Sequence, residues 1–245
     1  MLTNESWLKC YKPLPDASLR LFCFPYAGSG AIAFRSWSDG LPQTVEVYAI
    51  ELPGRGTRMK EPLYTKMPPL VEAIAPALLP KLDKPFAFFG HSMGAILAFE
   101  CSRLLRQKYG LLPVYLFVSG RNAPQVPDPD PPIHDASKAA FIEELRRFNG
   151  TPEAVLKSSE LMELLLPVLR ADFEVLETYT YVEQKPLECA IAAFGGTEDV
   201  KTRVDYLEAW AKQTTGSFSL HKLPGDHFFL NSARSLLFQY LKLYL

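Results

Sequence analysis

The strongest constraint on the fold is a set of short apolar runs that are nearly continuous. Leu19–Phe24, Val45–Ile50, Phe86–Phe89, Val114–Ser119, Cys189–Phe194 and Phe218–Leu223 are the clearest, and Trp7–Tyr11 is a candidate edge strand. A strand with one wet face alternates apolar and polar residues. A nearly continuous apolar run suits a strand covered on both faces. Helical patterns separate these runs, so parallel strands joined by crossover helices are expected. The fold class is therefore α/β, with a mostly parallel central sheet and helices on both faces. A chain of 245 residues can build one such domain, residues 1–245, around a full core.

The segment Ser92–Tyr109 reads as a helix, with Ile96, Phe99, Leu104 and Leu105 as its apolar contacts. Arg103, Arg106 and Lys108 crowd its last turns, where cations suit the helix dipole, and Gly110 can cap it. After Gly120 the strand–helix alternation stops. Pro124, Pro127, Pro129, Pro131 and Pro132 forbid regular structure, and helical patterns follow with no strand between them. Phe141, Leu145 and Phe148 fall on one helical face, and Thr151-Pro152 reads as a cap with a first-turn proline. Leu161, Leu164, Leu165, Val168 and Leu169 form a second stripe. Strand character resumes near Cys189, so a helical insertion is expected from about Gln125 to Lys185.

An apolar share of 48% and a charged share of 22% fit an ordinary soluble globular protein. The formal charge of −1 lacks the basic excess that nucleic-acid binding needs. Met1–Trp7 has no basic region leading into an apolar stretch, so it does not read as a signal peptide. Runs such as Leu111–Val118 are too short to span a bilayer. Cys10, Cys23, Cys101 and Cys189 are widely spaced, as for reduced thiols in a cytoplasmic protein, and the same spacing gives no reason to expect a metal site.

The chemistry centres on Gly90-His-Ser-Met-Gly94, placed between an apolar strand and a long helix. A Gly-x-Ser-x-Gly turn there is the nucleophile elbow of an α/β-hydrolase fold, in which Ser92 projects its hydroxyl into a cleft. The base must be one of four histidines. His91 adjoins Ser92 and should point away from the cleft. His134 lies in the proline-rich stretch and His221 inside a strand, whereas His227 follows the last strand, at the sheet edge where sites gather. For the acid, Asp199 is preferred to Glu198 for its spacing past Gly195-Gly196, the usual one for this fold; Asp205 lies further on in a helical pattern, and Asp226 adjoins the base and is badly placed to reach its far nitrogen. The order Ser92, Asp199, His227 is that of the hydrolase triad. The oxyanion would meet the backbone N–H of Met93, at the helix start, and that of Ala27, in the loop after Leu19–Phe24.

Four blocks then carry a resemblance: Phe24-Pro-Tyr-Ala-Gly28, Glu51-Leu-Pro-Gly-Arg-Gly56 with Arg58, Gly90-His-Ser-Met-Gly-Ala95, and Gly225-Asp-His-Phe-Phe229. Phe194-Gly-Gly-Thr-Glu-Asp199 and Trp210 fit as well. The chain resembles, nearly end to end, the type II (editing) thioesterases of polyketide and nonribosomal peptide synthesis and the related fatty-acid thioesterase II. It departs in Ser29, where Ala-Gly-Gly is common, and in Asp226, where glycine is usual. The resemblance implies hydrolysis of acyl groups from the phosphopantetheine arm of an acyl or peptidyl carrier protein, bound transiently by a monomer. Phosphopantetheine would enter as substrate, with no cofactor. The insertion would be a lid over the acyl pocket, although helices packed as ordinary core would look the same. Arg55 and Arg58 are candidates for contact with the carrier or the pantetheine phosphate, and equally for structural ion pairs. A small-ester esterase or an acyltransferase would use the same triad. A binding module without catalysis would lack a triad member, and none is missing.

Overall fold

In the computed structural model, which describes residues 6–245, seven strands form one sheet in the order β1-β3-β2-β4-β5-β6-β7. They are β1 (Leu8–Lys9), β2 (Leu19–Phe24), β3 (Val45–Ile50), β4 (Phe86–His91), β5 (Tyr115–Ser119), β6 (Ala190–Gly196) and β7 (Phe218–Leu223). Only β1 runs antiparallel, against β3; the other pairings are parallel. Most of the segment Met1–Trp7 lies outside the described residues.

The expected strands are present with shifted ends. β6 starts one residue late and runs through Gly195 and Gly196, because both still pair with Lys222 and Leu223 of β7. β4 runs on to His91, which pairs with Ser119. The edge strand expected over Trp7–Tyr11 shrinks to two residues, with Pro13 and Pro15 just beyond it.

The helices are α1 (Trp37–Gly40), α2 (Met67–Leu78), α3 (Met93–Tyr109), α4 (Lys138–Phe148), α5 (Glu153–Lys157), α6 (Ser159–Glu177), α7 (Val204–Glu208), α8 (Phe229–Ser232) and α9 (Arg234–Leu241). They explain why the strand runs are unbroken. Phe22, Phe24 and Phe88 face one core with Leu70 and Ile74 of α2 and Leu97 of α3. The intervening Leu21, Cys23 and Phe89 face a second core with Trp37 of α1 and Leu237 of α9. Successive side chains thus enter opposite layers, both dry. Helix α3 ends at Gly110, whose φ of 66° lies in the left-handed region, with its amide on the Arg106 carbonyl at 3.1 Å. Among the described residues no helix is long and apolar enough to cross a membrane.

Helices α4, α5 and α6 lie between β5 and β6, within the expected insertion. Ser137 and Ser158 accept from the amides of Ala140 and Leu161, capping α4 and α6. Thr151 caps nothing; Pro152 itself takes the N-cap position of α5. The insertion has a small core of its own, from Phe141, Leu145, Leu156, Met162 and Leu169. The expected α6 stripe needs correction: Leu161 and Leu164 are exposed, at 48% and 67%, while Met162 and Leu169 are buried. Pro167 lies inside this helix.

Candidate active site

The end of β4 and the start of α3 form a turn that only glycine permits on either side of Ser92. A Cβ on Gly90 would lie 2.0 Å from the Gly94 carbonyl oxygen, and one on Gly94 would lie 2.1 Å from that of Phe24. Ser92 itself has φ 53° and ψ −116°, a sparsely populated conformation that costs about 1–3 kcal/mol and is typical of functional turns. Its side chain makes no capping bond to the helix, although serine favours that bond at an N-cap. The hydroxyl instead enters a cavity of about 660 Å³ that is also lined by Ala27 and His227. Met93 is the first residue of α3, where backbone amides and the helix dipole favour negative charge.

His227 lies in the turn after β7, and its Nδ1 is 2.9 Å from Asp199 Oδ2. The two loops are joined by their backbones: the Thr197 amide donates to Leu223 O and the Glu198 amide to Gly225 O. Gly196 makes this approach possible, since a Cβ there would lie 2.4 Å from the carbonyl oxygens of Gly225 and Asp226. The Asp199 side chain is only 1% exposed. Burial alone would raise its pKa, but the His227 ring, the Thr202 hydroxyl (2.6 Å) and the Lys201 amide (2.9 Å) outweigh it and lower the carboxyl to about 2. The acid is therefore ionised at any ordinary pH. Thr202 and Lys201 were not singled out in the sequence; a hydroxyl three residues past a loop aspartate is their only signal.

The remaining candidates are occupied elsewhere. Asp226 accepts from the Phe228 amide and from Asn149 Nδ2, so the departure from glycine ties the insertion to the histidine loop. His134 pairs with Glu177 and His221 with the Tyr244 hydroxyl. His91 points out of the cavity, as expected, and is fully buried, with Nδ1 at 2.9 Å from Ser119 Oγ. Its ring packs 5.1 Å from that of His227. Burial first, and the charge of His227 second, push its pKa well below the usual imidazole range, so His91 stays neutral.

Arg55 and Arg58 are both buried, which selects the ion-pair alternative. Arg58 pairs with Glu61, donates to the Glu51 carbonyl and stacks 3.7 Å from the Trp7 ring centroid. Arg55 forms a two-pronged pair with Asp172 of α6.

The match to known proteins decides the family. Residues 19–242 fit the family model described as the thioesterase domain. The chain belongs to the thioesterase family. This thioesterase is 50% identical over 218 residues to the gramicidin S biosynthesis protein GrsT of Aneurinibacillus migulanus, covering 89% of this chain and 85% of that protein. It is 45% identical over 239 residues to LgrE of Brevibacillus parabrevis, named linear gramicidin dehydrogenase, covering 96% and 91%. Among solved structures, the type II thioesterase BorB from the borrelidin biosynthetic cluster superposes with a TM-score of 0.90 at 32% identity, covering 98% and 97%. The thioesterase thus has the α/β-hydrolase fold: its strand pattern gave the α/β class, and the Gly90-His-Ser-Met-Gly94 turn gave the hydrolase type.

Proposed function

We propose that this thioesterase hydrolyses acyl groups from the phosphopantetheine arm of an acyl or peptidyl carrier protein, through an acyl-enzyme on Ser92. The observation that carries the reading is the buried Asp199–His227 pair, 2.9 Å apart, beside the cavity that Ser92 enters. His227 takes the Ser92 hydroxyl proton while Asp199 fixes its ring and stabilises the imidazolium. Ser92 Oγ attacks the thioester carbonyl, and the amides of Ala27 and Met93 receive the oxyanion. As the C–S bond breaks, His227 gives the proton to the leaving pantetheine sulfur. Water, deprotonated by the same ring, then releases the carboxylic acid and restores Ser92. In this reading pantetheine is part of the substrate.

The cavity suits an acyl chain: Ile96 and Ala123 of the body and Leu145, Phe148, Phe173 and Leu176 of the insertion line it together. This supports the insertion's role as a lid over the acyl pocket. Free, buried Cys23, Cys101 and Cys189 suit a reducing, cytoplasmic setting. A nicotinamide-dependent role, which the name of LgrE would suggest, has less support. Gly28, Gly30 and Ala33 follow β2 at the spacing of a dinucleotide loop. However, the Gly28 amide already serves Asp172 at 2.7 Å, and a Cβ on Gly30 would lie 2.5 Å from the Glu51 carboxylate. A pyrophosphate would meet two acidic side chains there.

Ser92→Ala should lower turnover by roughly four to six orders of magnitude, His227→Ala by about as much, and Asp199→Asn by ~10⁴-fold. A serine-directed phosphonate should add once to the native chain by intact mass. An equal yield of adduct on Ser92→Ala would sink the assignment. A carrier-bound acyl group should exceed the same acyl group on free pantetheine in kcat/KM by at least ~10-fold, or ~1.4 kcal/mol. Equal values, or a preference for oxygen esters, would favour the esterase alternative.

A further inference from the structure

The loop that carries the Ala27 amide is gripped from the insertion. Asp172 of α6 is 2% exposed. Its Oδ2 accepts from the Gly28 amide at 2.7 Å and from Arg55 Nη1 at 2.6 Å, and its Oδ1 accepts from Arg55 Nη2 at 2.8 Å. Arg55 Nη1 also donates to the Ser29 carbonyl at 2.8 Å. The loop is therefore held by an amide and by a carbonyl, immediately after Ala27. Gly28 has φ +75°, and a Cβ there would lie 2.4 Å from Leu169 Cδ2, one turn back along α6. A carboxylate accepting from a backbone amide, backed by a bidentate guanidinium, is among the stronger and more directional pairings in proteins.

We propose that Asp172 is a positioning residue for the reaction: through Gly28 it aims the Ala27 amide at the oxyanion, and Arg55 orients its carboxylate. The inference rests on the proposed function above and assigns α6 a task beyond covering the acyl pocket. An oxyanion donor works only when it is already aligned, and losing one outright costs about 10²–10³ in kcat. A donor left in place but poorly aimed should cost less.

The test begins with Asp172→Ala, assayed at a temperature where circular dichroism shows it folded. The expected result is a ~10–100-fold fall in kcat with KM changed by less than about threefold. Affinity for an alkyl trifluoromethyl ketone, whose adduct with Ser92 bears an oxyanion, should fall in parallel, and affinity for the matching methyl ketone should not. Removing the carboxylate strands a buried Arg55, so a second pair of variants separates positioning from charge balance. Asp172→Asn with Arg55→Met keeps an acceptor for Gly28 while losing the Arg55 grip on the Ser29 carbonyl, and should keep kcat roughly 5-fold or more above that of Asp172→Ala with Arg55→Met. Asp172→Ala with Arg55→Met should stay impaired. Native kcat in the alanine variants, or equal kcat in the two double variants, would overturn the inference. Absence of Ser92-dependent turnover by the native chain would instead refute the proposed function.

Discussion

The sheet and the insertion are built from similar apolar residues but are held by different means. Each central strand of the sheet has a dry layer on both faces, formed by helices such as α2 and α3 on one side and α9 on the other. The insertion's own core cluster has five buried residues, and surface pairs such as Arg146 with Glu143 and Glu153 surround it, although exposed pairs of this kind contribute little. Only the second half of α6 resembles the body, where Leu169, Asp172, Val175 and Leu176 are buried. The contrast separates two tasks. Ser92, Asp199 and His227 sit on loops of the rigid sheet, where geometry must not vary. Much of the cavity wall comes from the insertion, with Leu145, Phe148, Leu169 and Phe173 among its lining.

The largest test of this contrast removes one leucine from each region. Leu97→Ala, in α3, should cost about 2–5 kcal/mol and lower the melting temperature of the whole molecule. Leu145→Ala, in α4, should instead raise hydrogen exchange across residues 125–166 while leaving α3 amides protected. An equal fall in global melting for both would mean that the insertion and the sheet unfold as one unit.

A smaller effect comes from acid. Asp199 is held at about 2 in the folded chain, against an unfolded value near 3.9. The unfolded state therefore binds the proton first as pH falls. The carboxylate contributes roughly 2–3 kcal/mol above pH ~5, and this is lost as pH drops through ~4 towards ~2. In urea titrations the stability gap between the native chain and Asp199→Asn should be about halved at pH 3 relative to pH 7. A gap that does not change with pH would place the interaction energy elsewhere. The smallest expected effect is that of Leu164→Ser, which should change stability by less than ~0.5 kcal/mol because the side chain is already in water.

These regions also differ in how far the sequence reveals them. The strands were legible because a run such as Leu19–Phe24 has no wet face. The turn around Ser92 was legible because Gly90 and Gly94 each face backbone too close for a Cβ. The α6 stripe was misread because Leu161 and Leu164 have the spacing of a buried face and no burial. Asp172 escaped notice because its partner amide is 144 residues away, a pairing that only the folded chain creates. One signal was present. Asp172 sits three residues after Leu169 and three before Val175, so a carboxylate interrupts a buried apolar face and requires a partner.

Pro167 gives α6 a mechanical weak point. Lacking an amide hydrogen, it leaves the Glu163 carbonyl without its usual partner, and its ring crowds that same turn. Bending stress along the helix therefore concentrates there, two residues before Leu169 and five before Asp172. The outer arm carries the exposed Leu161 and Leu164, whereas the inner arm carries the buried Leu169, Asp172, Val175 and Leu176. The proline thus divides an exposed arm from a buried one, and the grip of Asp172 on the loop that contains Ala27 lies wholly on the buried side.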